Sequence, residues 1–397
     1  MVEVDQSVGG MHAASSSQEE RDLDLEDLFT PFAVGHLQLR NRFVMPGMQR
    51  GHCEEGAPTR EMIEYYRRRA AGGVGLIVGE GCCVEHPSSF CEARFPRLNL
   101  RTCDGWGRCI EAVHSEGGKM LIQISHLGAM RANSPNIPKL AGPALSPSGL
   151  FSTDKVNGRA ATEQELAEIL ETFVDSARLA KAAGADGIEL HGCHGFLLDE
   201  FLWASTNKRE DRYGGDTLQA RCRYPAEIVS AIRREVGPHS AISFRFSQWK
   251  EPDYTARIAE TPTELGAFLN AMQVAGVDVF HPSTRRFTTP EFPGSPLGLA
   301  GWTKSLVQAP VIAVGSVGLT EDVMESLVGN AEAKFAGVAS LRELATRFAN
   351  GEFDLIAIGR SLISDAEWVR KVRDHRFDDI RVFSKRDLGE LLEVSRD

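Results

Sequence analysis

His191 and His194 stand three residues apart in the string His191-Gly192-Cys193-His194-Gly195. The string follows a short apolar run, Gly187 to Leu190, that reads as a buried β-strand. Its two glycines allow a tight reversal, so both imidazoles can stand at the strand's mouth. A lone histidine is commonly a satisfied core or surface group. A pair at a strand end beside glycine reads as a site. Paired imidazoles can donate hydrogen bonds to an oxygen that gains charge. With a carboxylate such as Asp199 or Glu200 they could instead ligate a metal. Two more polar residues interrupt apolar runs: Gln123 in Lys119 to Ser125, and Arg245 in Ala241 to Phe246. A buried amide needs partners, and a buried guanidinium needs an anion or several acceptors.

The elements that must carry these residues form a regular alternation. Strand-like runs span Arg42–Met45, Val74–Val78, Lys119–Ser125, Gly187–Leu190, Ala241–Phe246, Val277–His281, Val311–Val314 and Phe353–Ile358. Between them lie helical stretches: Thr59–Gly72, Asp104–Glu116, Thr162–Ala183 with a capping-box start, Leu218–Val236, Pro262–Ala275 and Thr320–Val328. Trp368–Arg373 lies in a closing helix. The pattern predicts an α/β fold, a (β/α)₈ barrel, capped by an N-terminal hairpin around Gly35-His36. In such a barrel chemistry sits at the C-terminal strand ends. There lie Pro46, Gly47, Gln49, Gly81, Gln123, His191, His194, Arg245, Gly315, Gly359 and Arg360. The Pro-, Ser- and Gly-rich stretches 131–161 and 283–299 read as lids. Segment 330–350 exceeds what its place requires and suggests an added helix without an assigned role. Residues 1–26 read as a disordered tail, 27–378 as the barrel, and 379–397 as a polar C-terminal tail.

Composition excludes several classes. The 397 residues are 42% hydrophobic and 25% charged, which suits a globular chain with ample core. No apolar run approaches the roughly 20 residues that span a bilayer. A formal net charge of −11 disfavours nucleic acid and anionic membrane surfaces as partners. Eight scattered cysteines read as reduced thiols, with neither a zinc nor an iron–sulfur spacing. With no basic and apolar leader at the start, the expected location is cytoplasmic. The expected partner is a small molecule, and a homo-oligomer is compatible with the chain.

The string from His191 to Gly215, HGCHGFLLDEFLWASTNKREDRYGG, resembles the signature of the old yellow enzyme family of flavin-dependent ene-reductases. The match is long and ungapped, and the resemblance covers roughly residues 29–372. It implies an FMN cofactor, NADPH or NADH as electron donor, and an enone substrate reduced by ping-pong hydride transfer. It implies that His191 and His194 bind the substrate carbonyl. It implies that the end of the first strand (Pro46, Gly47, Gln49) and Gly81 meet the flavin ring. Gln123 would meet the pyrimidine, and Arg245 the N1 and C2 carbonyl edge. Phe196 departs from the pattern, because the family has a proton-donating tyrosine there. Tyr254, in the loop after the fifth strand, is the candidate substitute in the substrate site.

Gly315 and Gly359-Arg360 follow strands seven and eight, the usual phosphate position of such barrels. An amide cradle with a guanidinium fork suits one phosphate monoester. The chain lacks a Gly-x-Gly-x-x-Gly motif after a strand, which favours FMN over FAD. Two alternatives remain open at this point: an isomerase or desaturase on the same fold, because of Phe196, and a metal-dependent barrel hydrolase. No metal is expected under the flavin reading.

Overall fold

The structure, a computed structural model, describes residues 23–89, 94–131, 142–329 and 331–391. Eight parallel strands form the barrel: β1 (Phe43–Met45), β2 (Leu76–Val78), β3 (Lys119–Ser125), β4 (Gly187–His194), β5 (Ala241–Lys250), β6 (Val279–Pro282), β7 (Ile312–Val314) and β8 (Leu355–Ala357). Neighbours in sequence pair from β1 through β6, and β8 pairs with both β7 and β1. Two isolated parallel bridges, Phe280 to Val311 and Ser283 to Val314, close the ring between β6 and β7. The short strands β1, β2, β7 and β8 are buried at every residue. That is why they read as unbroken apolar runs rather than alternating ones.

The surrounding helices are α1 (Arg60–Ala71), α2 (Cys103–Ser115), α3 (Glu163–Ala182), α4 (Arg223–Val236), α5 (Pro262–Ala275), α6 (Leu299–Leu306), α7 (Gly337–Ala349) and α8 (Trp368–Arg373). Their starts follow capping chemistry. The Thr162 hydroxyl accepts from the Glu165 amide, and the Glu165 carboxylate accepts from the Thr162 amide, so two orphan donors are satisfied. Leu166, Ile169, Phe173, Ala177 and Ala180 then share one buried stripe of α3. The N-terminal hairpin pairs Phe32–Val34 with Leu37–Leu39. Its Val34, Leu37 and Leu39 join Val44, Leu76, Val78 and Leu121 in one apolar cluster, so the hairpin caps the barrel end remote from the site.

Several boundaries differ from expectation. Strands β4 and β5 run on to His194 and Lys250, because each is held by ladder bonds to the other. Segment 330–350 is not an addition. It contains α7, the ordinary helix between β7 and β8, while Thr320–Val328 yields only the short helix Val323–Leu327. The first lid carries small sheets, Leu145–Ser146 with Arg159–Ala160 and Leu150–Ser152 with Lys155–Val156. Its residues 132–141 lie outside the described residues. So do 1–22 of the expected N-terminal tail, whereas Leu23 and Leu25 are buried in the core. Residues 379–391 dock on the barrel. The Arg50 guanidinium donates to the Asp387, Leu388 and Glu390 carbonyls, and Ser364 donates to Asp387.

Candidate functional site

A cavity of about 780 Å³ opens at the C-terminal ends of the strands. Every residue expected from the sequence to meet flavin or substrate lines it: Pro46, Gly47 and Gln49 after β1, Gly81 after β2, Gln123 on β3, His191 and His194 on β4, Phe196 beyond it, Arg245 on β5, Tyr254, Gly315 after β7, and Gly359-Arg360 after β8; the alternative metal ligands Asp199 and Glu200 do not. The chain therefore brings together side chains more than three hundred residues apart. Gln49 stands exposed at the rim.

The histidines sit on β4 itself, not on a reversal after it. Glu189 and His191 alternate onto the same face. A register shift between Gly192 and His194 then re-aims the strand end. Gly192 serves packing, since a Cβ there would lie 2.4 Å from the Phe244 ring. The chain turns at His194 and Gly195, both left-handed at φ 65° and 94°. His191 Nε2 lies 3.4 Å from His194 Nδ1, and His194 Nε2 lies 2.9 Å from Ser283 Oγ. Burial, then the nearby Arg245 charge, lowers both imidazoles, His191 to about 3 and His194 well below its ordinary value. Both are neutral at pH 7. His191 Nδ1 is buried without a partner among the described residues.

Behind them lies a charge network. The Glu189 carboxylate accepts from Gln123 Nε2 at 2.8 Å and from Ser243 Oγ at 2.9 Å, and lies 2.7 Å from His281 Nδ1. Burial alone would raise this carboxyl, but His281, Arg245 and Gln123 outweigh it and hold it at about 2. Arg245 donates to the Gly47 carbonyl at 3.0 Å and to Ser283 Oγ at 3.3 Å, and its Nε has no partner among the described residues. Gly47 must be glycine here, because a Cβ would come within 2.9 Å of the Gln123 amide and 2.8 Å of the Gly79 carbonyl.

At the far end Gly315 has φ 145°, and a Cβ would press within 2.7 Å of Phe287 N. Arg360 donates to the Asp322 and Glu321 carbonyls and to the Ser316 and Ser326 hydroxyls, which fixes the plane of its guanidinium.

With this geometry established, comparison with known proteins is decisive. Residues 27–379 match the pattern of the family described as NADH:flavin oxidoreductase / NADH oxidase. The chain belongs to that family. It is 35% identical over 89% of its length to an NADH oxidase of Thermoanaerobacter brockii, covering 52% of that protein. It is 30% identical over 87% of its length to an NADPH dehydrogenase of Halalkalibacterium halodurans, covering 93% of it. A cinnamate reductase of Clostridium sporogenes is 28% identical over 89% of the chain and 54% of the relative. The chain thus spans about half the length of the first-ranked curated relatives. In fold it is similar to morphinone reductase solved with tetrahydroNAD, at a TM-score of 0.73 and 23% identity over 93% of this chain and 98% of that one. The barrel is thereby that of the old yellow enzyme relatives.

Family membership makes FMN the cofactor. The residues present fit it. Unpartnered Arg245 Nε and the Gln123 amide offer polar contacts at one end of a cavity whose glycines keep the wall open. The positive-φ turn at Gly315-Ser316 and the Arg360 fork stand at the other end.

Phe196 packs on His191 with ring centroids 4.5 Å apart, and a phenyl ring carries no acidic proton. Of the chain's five tyrosines, Tyr254 alone lines the cavity, with the Arg285 guanidinium 5.4 Å from its ring centre. Sequence reasoning missed Glu189, His281, Ser283 and Trp249, the last lining the cavity with its ring centre 4.7 Å from that of His194. Glu189 did carry a signal, as a charge in the middle of the apolar run that the histidines ended. The hydrolase reading loses its carboxylates. Asp199 is bonded to Lys250 and the Gly195 amide, and Glu200 accepts from the Ala129 amide. Among the described residues, His191, Cys193 and His194 have ligand-capable atoms within 4.8 Å. Burial pushes the Cys193 thiol well up. Among the described residues no helix is long and apolar enough to cross a membrane.

Proposed function

We propose that this chain reduces the C=C bond of α,β-unsaturated carbonyl compounds with NAD(P)H by a ping-pong cycle. The observation that carries the reading is the His191–His194 pair, rings nearly perpendicular with Nε2 and Nδ1 3.4 Å apart, on the wall of a cavity that also presents Gln123 and Arg245. FMN, held by Gln123, Arg245, Gly315 and Arg360, would supply the redox chemistry, hydride transfer from the nicotinamide to the β-carbon of the enone. His191 and His194 each offer an N–H to the carbonyl oxygen, where charge gathers as the bond is reduced. Neutral imidazoles suit this task, since they polarise the oxygen while keeping their own protons. Arg245 presents a fixed positive charge to the cavity and would stabilise the negative charge of a reduced flavin held there. Gln123, clamped by Glu189, presents its amide in one orientation. The proton for the α-carbon comes from Tyr254 or from water, because Phe196 cannot give one.

Anaerobic mixing tests the reading directly. Purified protein should be yellow and release FMN on heating. NADPH or NADH should bleach it, and cyclohexenone should restore the colour with one equivalent of saturated ketone formed. Restoration by oxygen alone, with no ketone from any enone offered, would overturn the proposal. Ketone double-bond migration without nicotinamide consumption would select the isomerase reading instead.

A further inference from the structure

Lys250 and Asp199 form a salt bridge with no exposed side-chain surface, Nζ to Oδ1 at 2.6 Å. Neither group touches the cavity. Two charges withdrawn from water are costly, and a well-packed apolar pair of equal volume commonly serves stability as well or better. The pair therefore invites a reason other than holding the fold, and its contacts give one.

His194 adopts a left-handed backbone that a residue with a Cβ rarely takes, and Gly195 continues it. Three polar contacts hold this strained dipeptide. Ser247 Oγ accepts from His194 N at 3.0 Å, the His194 carbonyl accepts from Glu251 N at 3.2 Å, and Asp199 Oδ2 accepts from Gly195 N at 2.8 Å. The Lys250 ammonium links the two sides of this cradle. One N–H goes to Asp199 Oδ1, and another to the Ser247 carbonyl at 2.7 Å. The ammonium thus ties the end of β5 to the helix Leu197–Leu202, with the turn that aims His194 held between them.

We propose that Lys250 and Asp199 are a positioning pair that aims the His194 imidazole at the substrate oxygen. The inference rests on His194 being a carbonyl donor, as proposed above. It predicts that loss of the pair acts through His194 and through nothing else in the site.

The test is a double-mutant cycle on the flavin-loaded protein, read by binding of 4-hydroxybenzaldehyde. A phenolate stacked on oxidised flavin gives a long-wavelength charge-transfer band, so its Kd is measured without turnover. Lys250→Met and Asp199→Asn should each raise that Kd at least tenfold, with flavin content unchanged. In a His194→Ala background either change should shift the Kd less than twofold, because the residue being aimed is gone. Equal factors in both backgrounds would overturn the inference, and so would an unchanged Kd in the two single variants. Asp199→Asn keeps the side-chain volume and covers the case in which Lys250→Met does not accumulate. Failure of both to hold flavin would make the pair structural and also overturn it. If His194→Ala by itself left the Kd unchanged, the carbonyl-donor reading would fall first, and the inference with it.

Discussion

The Gln123 amide donates to the Glu189 carboxylate at 2.8 Å, and both side chains are buried. The bond fixes which end of the amide faces the cavity. It also places a negative charge under Arg245, whose guanidinium has no carboxylate among its hydrogen-bond partners. Glu189→Gln should leave one donor–donor clash among Gln123, Ser243 and His281. The expected loss is about 1–3 kcal/mol of unfolding free energy. FMN should also bind more weakly, because Gln123 is free to turn over. Urea unfolding and a flavin-fluorescence titration would check both. An unchanged midpoint together with an unchanged flavin Kd would refute the clamp.

Arg245→Ala removes the guanidinium that donates to the Gly47 carbonyl and Ser283. A hydrogen bond to a charged partner contributes about 1.5–3 kcal/mol. FMN affinity should fall roughly tenfold to a hundredfold, and the flavin potential should become more negative. A dye-coupled potentiometric titration reads the second effect independently of activity.

The histidines fix a pH dependence. Unfolded, His191 binds a proton below about pH 6.5. In the folded chain it does so only near 3. Between those values the unfolded state holds the extra proton, so stability falls as pH drops from about 6.5 toward 3. His194 shifts in the same direction. Above roughly pH 6 both remain neutral, and phenol binding should follow only the ionisation of the phenol. An added inflection near pH 6.5 that vanishes in His191→Ala would contradict the neutral pair.

Phe196→Tyr returns a phenol to the ring that packs on His191. General-acid groups typically contribute 10²–10⁴-fold. Reoxidation by simple cyclic enones should accelerate, while reduction by nicotinamide stays unchanged. Maleimides and quinones should gain least, because their enolates need little help. Stopped-flow traces of the two half-reactions separate these effects. Equal reoxidation rates would show that Tyr254 or solvent already delivers the proton.

Much of the site was legible because buried polar residues advertise themselves. Gln123 and Arg245 broke apolar runs, and His191 and His194 ended one. Glu189 breaks the same run, but a single carboxylate two residues before a histidine carries no spacing of its own that points to a site. The ends of β4 and β5 could not be read from composition. Their last residues are strand because they pair with each other, and pairing is a property of two segments. Lys250 was hidden for that reason. It looked like a loop residue until the strand reached it. The Asn330–Asn350 stretch misled because the short helix before it, Val323–Leu327, occupied the expected place of α7.

The string from His191 to Gly215 has two parts with different duties. Its first residues face the cavity. From Asn207 onward it is carpentry. Asn207 donates to the Phe201 and Tyr213 carbonyls, Arg209 binds Asp211 and the Pro147 and Ala161 carbonyls of the first lid, and a Cβ on Gly214 would strike the Arg209 carbonyl. A homologue that keeps only the second half therefore inherits the brace between two loops, with no assurance of the chemistry at the strand end. One that keeps only the first half inherits the reagents without that brace.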